Sequence, residues 1–212
     1  MEFETLLQIV GQEPLFNTGL LLAGYVNPKD IRKQLSRWYA AGKIYQLRRG
    51  WYCLAPLSQK ATPHPFLIAN RIHPGSYVSL QSALSYYGMI PEGVPVTTSV
   101  TTGRPQSFQT PLGLFDYRHT QVDWFAGYAH TDLGNGQTAF VATAEKALLD
   151  LVYLQPKGDT LAYLRSLRLQ ALDQINVGKM QSLAKSLGKL KLERAVSLIL
   201  ALIEEEASFQ SL

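Results

Sequence analysis

Seven basic side chains lie between Asn27 and Gly50 (Lys29, Arg32, Lys33, Arg37, Lys43, Arg48 and Arg49) against a single acid, Asp30. Ammonium and guanidinium groups at that density suit phosphate, because they neutralise a nucleic-acid backbone and release its counterions. Arginine offers a two-pronged donor fork to guanine or phosphate, whereas lysine acts as a point charge. Lys29, Arg32, Lys33, Ser36 and Arg37 have the spacing of one helix face, and Arg48 and Arg49 follow at a short tip between two strand-like runs. Those seven residues are the candidate DNA contacts. A solvated helix face is the plainer reading of such a charge run. The tip arginines either track backbone phosphates or enter the minor groove.

Other residues have the types, though not the spacing, for different chemistry. Asp116, His119, Asp123, His130 and Asp132 combine hard oxygens with imidazoles, a donor set suited to a metal, but they show no HExxH or comparable fixed interval. Glu145, Lys146 and Asp150 resemble pieces of a nuclease site. More simply, Glu145 favours a helix start and Lys146 pairs at i+4 with Asp150. Arg104 follows Gly103 after a threonine-rich run and is a candidate anion contact, or else a hairpin-end arginine packed over a sheet. Lys179, Lys185, Lys189, Lys191 and Arg194 form a looser basic cluster, a candidate contact for RNA or a partner, or a solvated helix face. No Gly-x-Ser-x-Gly, P-loop or GxGxxG pattern occurs. The expectation is no catalytic residue, no metal and no cofactor. A metal-dependent nuclease or phosphotransferase guided by a DNA-binding domain is the alternative, and a protein-interaction module is a third reading.

The elements that must position these groups are legible in outline. Asn27 can cap a helix whose first turn accepts Pro28, and Ile31, Leu35 and Trp38 recur at i, i+4 and i+7 as its apolar stripe. Gly42 closes it. Two strand-like runs, Ile44–Leu47 and Trp51–Leu54, flank the arginine tip. Upstream, Phe3, Leu6, Leu7 and Val10 predict a first helix, and Asn17 or Thr18 can cap a short second one through Leu22, stopped by Gly24. The Gly24–Asn27 link suits the turn of a helix-turn-helix. Trp38, Tyr39 and Trp51 are expected in the core, since duplex readers need no stacking platform.

The three prolines in Pro56–Pro65 mark a linker or an ordered loop. Beyond it the pattern is mixed: a helix over Phe66–Ile72, a short strand at Tyr77–Leu80, and a helix over Ser82–Gly88. Strands are expected at Val94–Thr102, Leu114–His119, Trp124–Thr131 and Thr138–Val141, the last after the Gly134-Asn135-Gly136 turn. A meander of three or four antiparallel strands is the simplest arrangement. Thr143 caps a convincing helix, Asp159 and Asn176 can cap two more, and Leu192–Ile203 is the last.

Composition fits a globular chain: 46% apolar, 17% charged, net charge +4 over 212 residues. Cys53 is the only cysteine, which rules out an internal disulfide and fits a reducing cytoplasm. The acidic start lacks signal-peptide order, and Ala195–Ile203 is too short to span a bilayer. A cytoplasmic protein with no membrane contact is expected.

Four stretches in order, LSRWYAAGKIYQLRRGWYCL, VSLQSALSYYGMIPE, VTTSVTTGR and FVATAEKALLDLVYL, resemble the AbiEi antitoxin family of type IV toxin–antitoxin (abortive-infection) systems. The family's motifs fall here on Ser82–Gly88, Thr97–Arg104 and Thr143–Asp150. The resemblance spans roughly residues 3–155, with the tail less distinctive. It implies a winged-helix repressor of its own operon, binding double-stranded operator DNA. Its second domain would counteract a nucleotidyltransferase-like toxin without forming a stable complex with it. The expected fold class is α+β: an N-terminal winged helix-turn-helix (1–57), a linker (57–64), and a mixed antiparallel-sheet and helix domain (64–212) with a helical C-terminal third.

Overall fold

The computed structural model of the chain describes residues 1–23, 27–91 and 93–210. Helix α1 (Phe3–Val10) buries Leu6 and Val10. A two-residue strand, β1 (Phe16–Asn17), absent from the expected order, leads into the short α2 (Thr18–Leu21). Asn17 caps α2, its side chain accepting from the Leu20 amide at 3.0 Å. The expected stop at Gly24 and most of the expected turn lie outside the described residues. Helix α3 (Pro28–Ala40) starts as anticipated: Asn27 Oδ1 accepts from the Lys29 amide at 2.9 Å and Pro28 occupies the first turn, where no amide donor is needed. The hairpin of β2 (Ile44–Arg48) and β3 (Trp51–Leu54) follows, and β1 pairs with the outer side of β3. Gly50 supplies the positive φ, +84°, that the tip requires. Leu6, Val10, Phe16, Ile31, Leu35, Trp38 and Ile44 belong to one small core.

The hairpin also reaches out of that core. The β2–β3 register shifts between Gln46 and Arg48, so Leu47 bulges from the ladder. Leu47, together with Leu15 and Cys53, is buried in a second, larger core. The proline-rich stretch beyond β3 is ordered and pinned. Pro56–Ser58 forms a 3₁₀ turn, and the Gln137 side chain accepts from the His64 amide at 2.7 Å while donating to the Thr62 carbonyl at 2.9 Å.

The larger core surrounds a six-stranded sheet. In chain order come α4 (Pro65–Ile72), β4 (Ser76–Val78), α5 (Leu80–Tyr86), β5 (Val96–Thr101), β6 (Gln106–Thr110), β7 (Gly113–His119), β8 (Tyr128–Asp132), β9 (Thr138–Ala142) and α6 (Ala144–Leu154). The strand order is β6-β7-β5-β4-β9-β8, with β5/β7 and β4/β9 parallel. The expected antiparallel meander is therefore corrected to a mixed sheet. The reason is burial. In each of the hairpins β6–β7 and β8–β9 the strand with more buried residues takes the inner place: Phe115 and Tyr117 on β7, Ala139 and Val141 on β9. Polar β6 and β8 are left at the edges, where unpaired backbone is solvated.

Side-chain alternation divides the sheet's faces. The register places Val78, Ser99 and Tyr117 together, and the Tyr117 hydroxyl donates to the Ala69 carbonyl of α4 at 2.7 Å. Tyr77, Thr98 and Asp116 lie on the opposite face, which α5 and α6 cover. The chain ends in α7 (Leu161–Ser166), α8 (Val177–Leu187) and α9 (Leu190–Gln210), the last longer than the expected Leu192–Ile203. Thr160, not Asp159, caps α7 through the Tyr163 amide, because the Asp159 carboxylate is held by Arg194. The architecture is α+β with a helical C-terminal third. Among the described residues no helix is long and apolar enough to cross a membrane.

Candidate nucleic-acid interface

Helix α3 separates its two kinds of residue cleanly. At about 100° per residue, Lys29, Arg32, Lys33, Ser36 and Arg37 occupy an arc of roughly 140°, and Ile31, Leu35 and Trp38 centre on the opposite side. All five polar residues are exposed, whereas Ile31, Leu35 and Trp38 are buried. The apolar side is fixed by α1, where Phe3 meets Trp38 edge-on at 5.6 Å. None of the four cations on this face has an ion-pair or side-chain partner among the described residues. Ser36 donates its hydroxyl back to the Arg32 carbonyl at 3.0 Å. With 13 residues, α3 is about 20 Å long, and a groove about 12 Å wide admits such a helix.

The two tip arginines part company. Arg49 is exposed and, like the α3 cations, has no side-chain partner among the described residues. Arg48 is half-buried: its guanidinium donates to the Ile72 carbonyl at the end of α4 and lies 4.9 Å above the Phe108 ring of β6. The bulge at Leu47 lets two consecutive residues of β2 engage the larger unit. Arg48 thus seats the hairpin rather than projecting with Arg49, and no sequence signal distinguishes the two. Trp38 is buried and Trp51 half-buried, as expected of core residues, but Tyr39 is 52% exposed.

The second set of basic candidates is mostly engaged within the chain. Lys179 pairs with Glu145 at 3.4 Å, Lys191 donates to the Tyr153 and Gln155 carbonyls, and Arg194 forks onto Asp159 at 2.9 and 2.6 Å. Lys185, Lys189 and Arg104 are exposed. The suspected metal set is dispersed. Asp116 and His119 lie on β7, Asp123 in the Val122–Trp124 turn, and His130 and Asp132 on β8. β7 and β8 are four strand positions apart, or about 19 Å. Among the described residues no group of three or more His, Cys, Asp or Glu is placed to hold a metal ion.

The pieces that resembled a nuclease site are a buried lock. Lys146 pairs with Asp150 at 2.7 Å, with side chains 1% and 0% exposed. Asp150 also accepts from the Tyr77 hydroxyl (3.0 Å), the Ser79 hydroxyl (2.7 Å) and the Trp124 indole (2.6 Å). Lys146 donates to the Trp124 carbonyl at 2.8 Å and sits 3.5 Å over the indole. Burial pushes the Lys146 ammonium down to about 8 against the pull of Asp150. Sealed from solvent, the pair ties α6 to β4 and the Val122–Trp124 turn. The i+4 pairing was legible. Its burial was signalled only by apolar residues running around most of α6. Glu145 is buried too; burial pushes its carboxyl up, but the Asn176 amide and Thr143 hydroxyl bring it below the ordinary value.

A scan of known protein families gives no match to this chain, and a search of curated proteins finds no significant match.

Proposed function

We propose that the chain is a winged helix-turn-helix reader of double-stranded operator DNA and the non-enzymatic antitoxin repressor of a type IV toxin–antitoxin operon. The observation that carries the DNA reading is the exposed arc of α3. Lys29, Arg32, Lys33 and Arg37 stand together there without intramolecular partners among the described residues, on a helix whose far side is held in a core. On this reading α3 is the recognition helix, β2–β3 is the wing and Arg49 is its exposed cation, without a side-chain partner among the described residues. The segment 1–57 is the reader and 64–212 the antitoxin domain, acting in the cytoplasm. The antitoxin half of the proposal rests on the AbiEi-like sequence stretches: it counteracts a nucleotidyltransferase-like toxin encoded beside it, without a lasting complex.

The two halves are tested separately. A duplex carrying the chain's own promoter should bind the protein, and Arg32→Ala with Arg37→Ala should abolish binding while the melting temperature holds. Equal binding by that double variant sinks the assignment of α3. For the antitoxin half, the protein should restore growth to cells expressing the neighbouring nucleotidyltransferase; continued toxicity contradicts it.

A further inference from the structure

A cleft of about 580 Å³ opens between β5, β7, α5 and the end of α7, on the sheet face opposite α4 and the β2–β3 hairpin. Its size is that of small-molecule sites. The walls include Ile90, Val94, Leu114 and Leu167, and three polar residues, Gln81, Thr98 and Arg118, line both the cleft and a small adjoining pocket of about 80 Å³. These three therefore mark the end of the cleft that adjoins the smaller pocket, and the Thr98 hydroxyl is already engaged by Ser79 and Ser82.

The polar end is built before any ligand arrives. Thr98 and Ser82 lock β5 to α5, the Thr98 amide donating to the Ser82 hydroxyl at 2.8 Å and the Thr98 hydroxyl to the Ser79 carbonyl at 2.8 Å. Arg118 is anchored through Nε to Asp116 at 2.7 Å, and the other Asp116 oxygen takes the Ser107 hydroxyl at 2.5 Å. That contact engages Nε and leaves the two terminal amines without a partner among the described residues, on a side chain 63% exposed. The half-buried Gln81 amide has no partner among them either. Paired terminal amines of arginine match a carboxylate. Asp116 already balances the Arg118 charge, so the pair is net neutral and a carboxylate would be held by hydrogen bonds from the terminal amines rather than by an unbalanced charge.

We propose that this cleft binds a small organic monocarboxylate with an aromatic or branched apolar body. The carboxylate meets the Arg118 terminal amines and the Gln81 amide, and the body rests on Ile90, Val94, Leu114 and Leu167. The proposal is independent of the DNA reading.

Calorimetric titration of the full chain with 2-naphthoate, its neutral isostere 2-naphthamide and the dianion 2,6-naphthalenedicarboxylate tests it. Saturable binding of 2-naphthoate at one site per chain is expected, about tenfold or more tighter than the amide, the worth of a hydrogen bond to a charged group. Arg118→Gln should weaken naphthoate by a similar factor and leave the amide unchanged. Because Arg118 is exposed, that variant should melt like the parent. Asp116→Asn, which leaves the Arg118 charge unbalanced, should tighten both anions and leave the amide unchanged. Absence of saturable naphthoate binding, equal affinity for acid and amide, or an Arg118→Gln affinity equal to the parent's would overturn the proposal.

Discussion

Arg48 and Arg49 are adjacent in sequence and differ in surroundings, so their substitutions separate folding from binding. Replacing Arg48 by Met removes a charged donor from the Ile72 carbonyl and a cation from the Phe108 face. Urea unfolding should show a loss of about 1–3 kcal/mol. Arg49→Ala, at an exposed position, should change stability by no more than about 0.5 kcal/mol. If both arginines prove neutral in urea, the hairpin is not seated as described. Asp150→Ala should be far more damaging. It leaves Lys146 buried without its counterion, along with the unsatisfied donors of Tyr77, Ser79 and Trp124. A loss of about 3–5 kcal/mol is expected on chemical denaturation.

At the scale of elements, α4 carries a titratable cap. His64 Nδ1 accepts the Phe66 amide hydrogen at 3.1 Å, which requires that nitrogen to be unprotonated, and burial holds the imidazole below its ordinary 6.5. The unfolded chain takes up the proton more readily than the folded one, so the cap's contribution is constant above about pH 6.5 and declines as pH falls from there toward the folded value. Melting temperatures from about pH 7 down to 5 should fall less for His64→Asn, whose cap does not titrate, than for the parent. Parallel curves would show that the cap is not the titrating element.

Local signals made much of the element list legible. Asn27, Asn17, Thr143 and Asn176 each cap a helix as their side chains suggest, and the Ile31-Leu35-Trp38 stripe marks the buried side of α3. Strand β6 went unread because Gln106–Thr110 is an edge strand with mostly exposed residues and no apolar alternation. The parallel pairings of β5 with β7 and β4 with β9 were out of reach for another reason: periodicity says which face a residue takes, not which strand lies beside it. The same holds for the site. The α3 arc could be read from spacing, whereas the seating of Arg48 depends on α4 and β6, both distant in sequence.

For the whole molecule, the hairpin is the joint. Leu15, Leu47 and Cys53 are buried in the larger core, and Arg48 reaches α4 and β6, so the segment proposed to read DNA rests on the mixed sheet through its own β-ribbon. On the proposed reading α3 and Arg49 supply five exposed cations that have no ion-pair or hydrogen-bonding side-chain partner among the described residues: Lys29, Arg32, Lys33, Arg37 and Arg49. The most direct test is the salt dependence of binding to a duplex bearing the chain's own promoter. If all five cations neutralise phosphates, log K against log salt should fall with a slope of about −4 to −5, at −0.9 per phosphate. Arg49→Ala should make it shallower by about one unit, and Arg48→Met should leave it unchanged. No duplex binding, or binding indifferent to salt, would contradict the account.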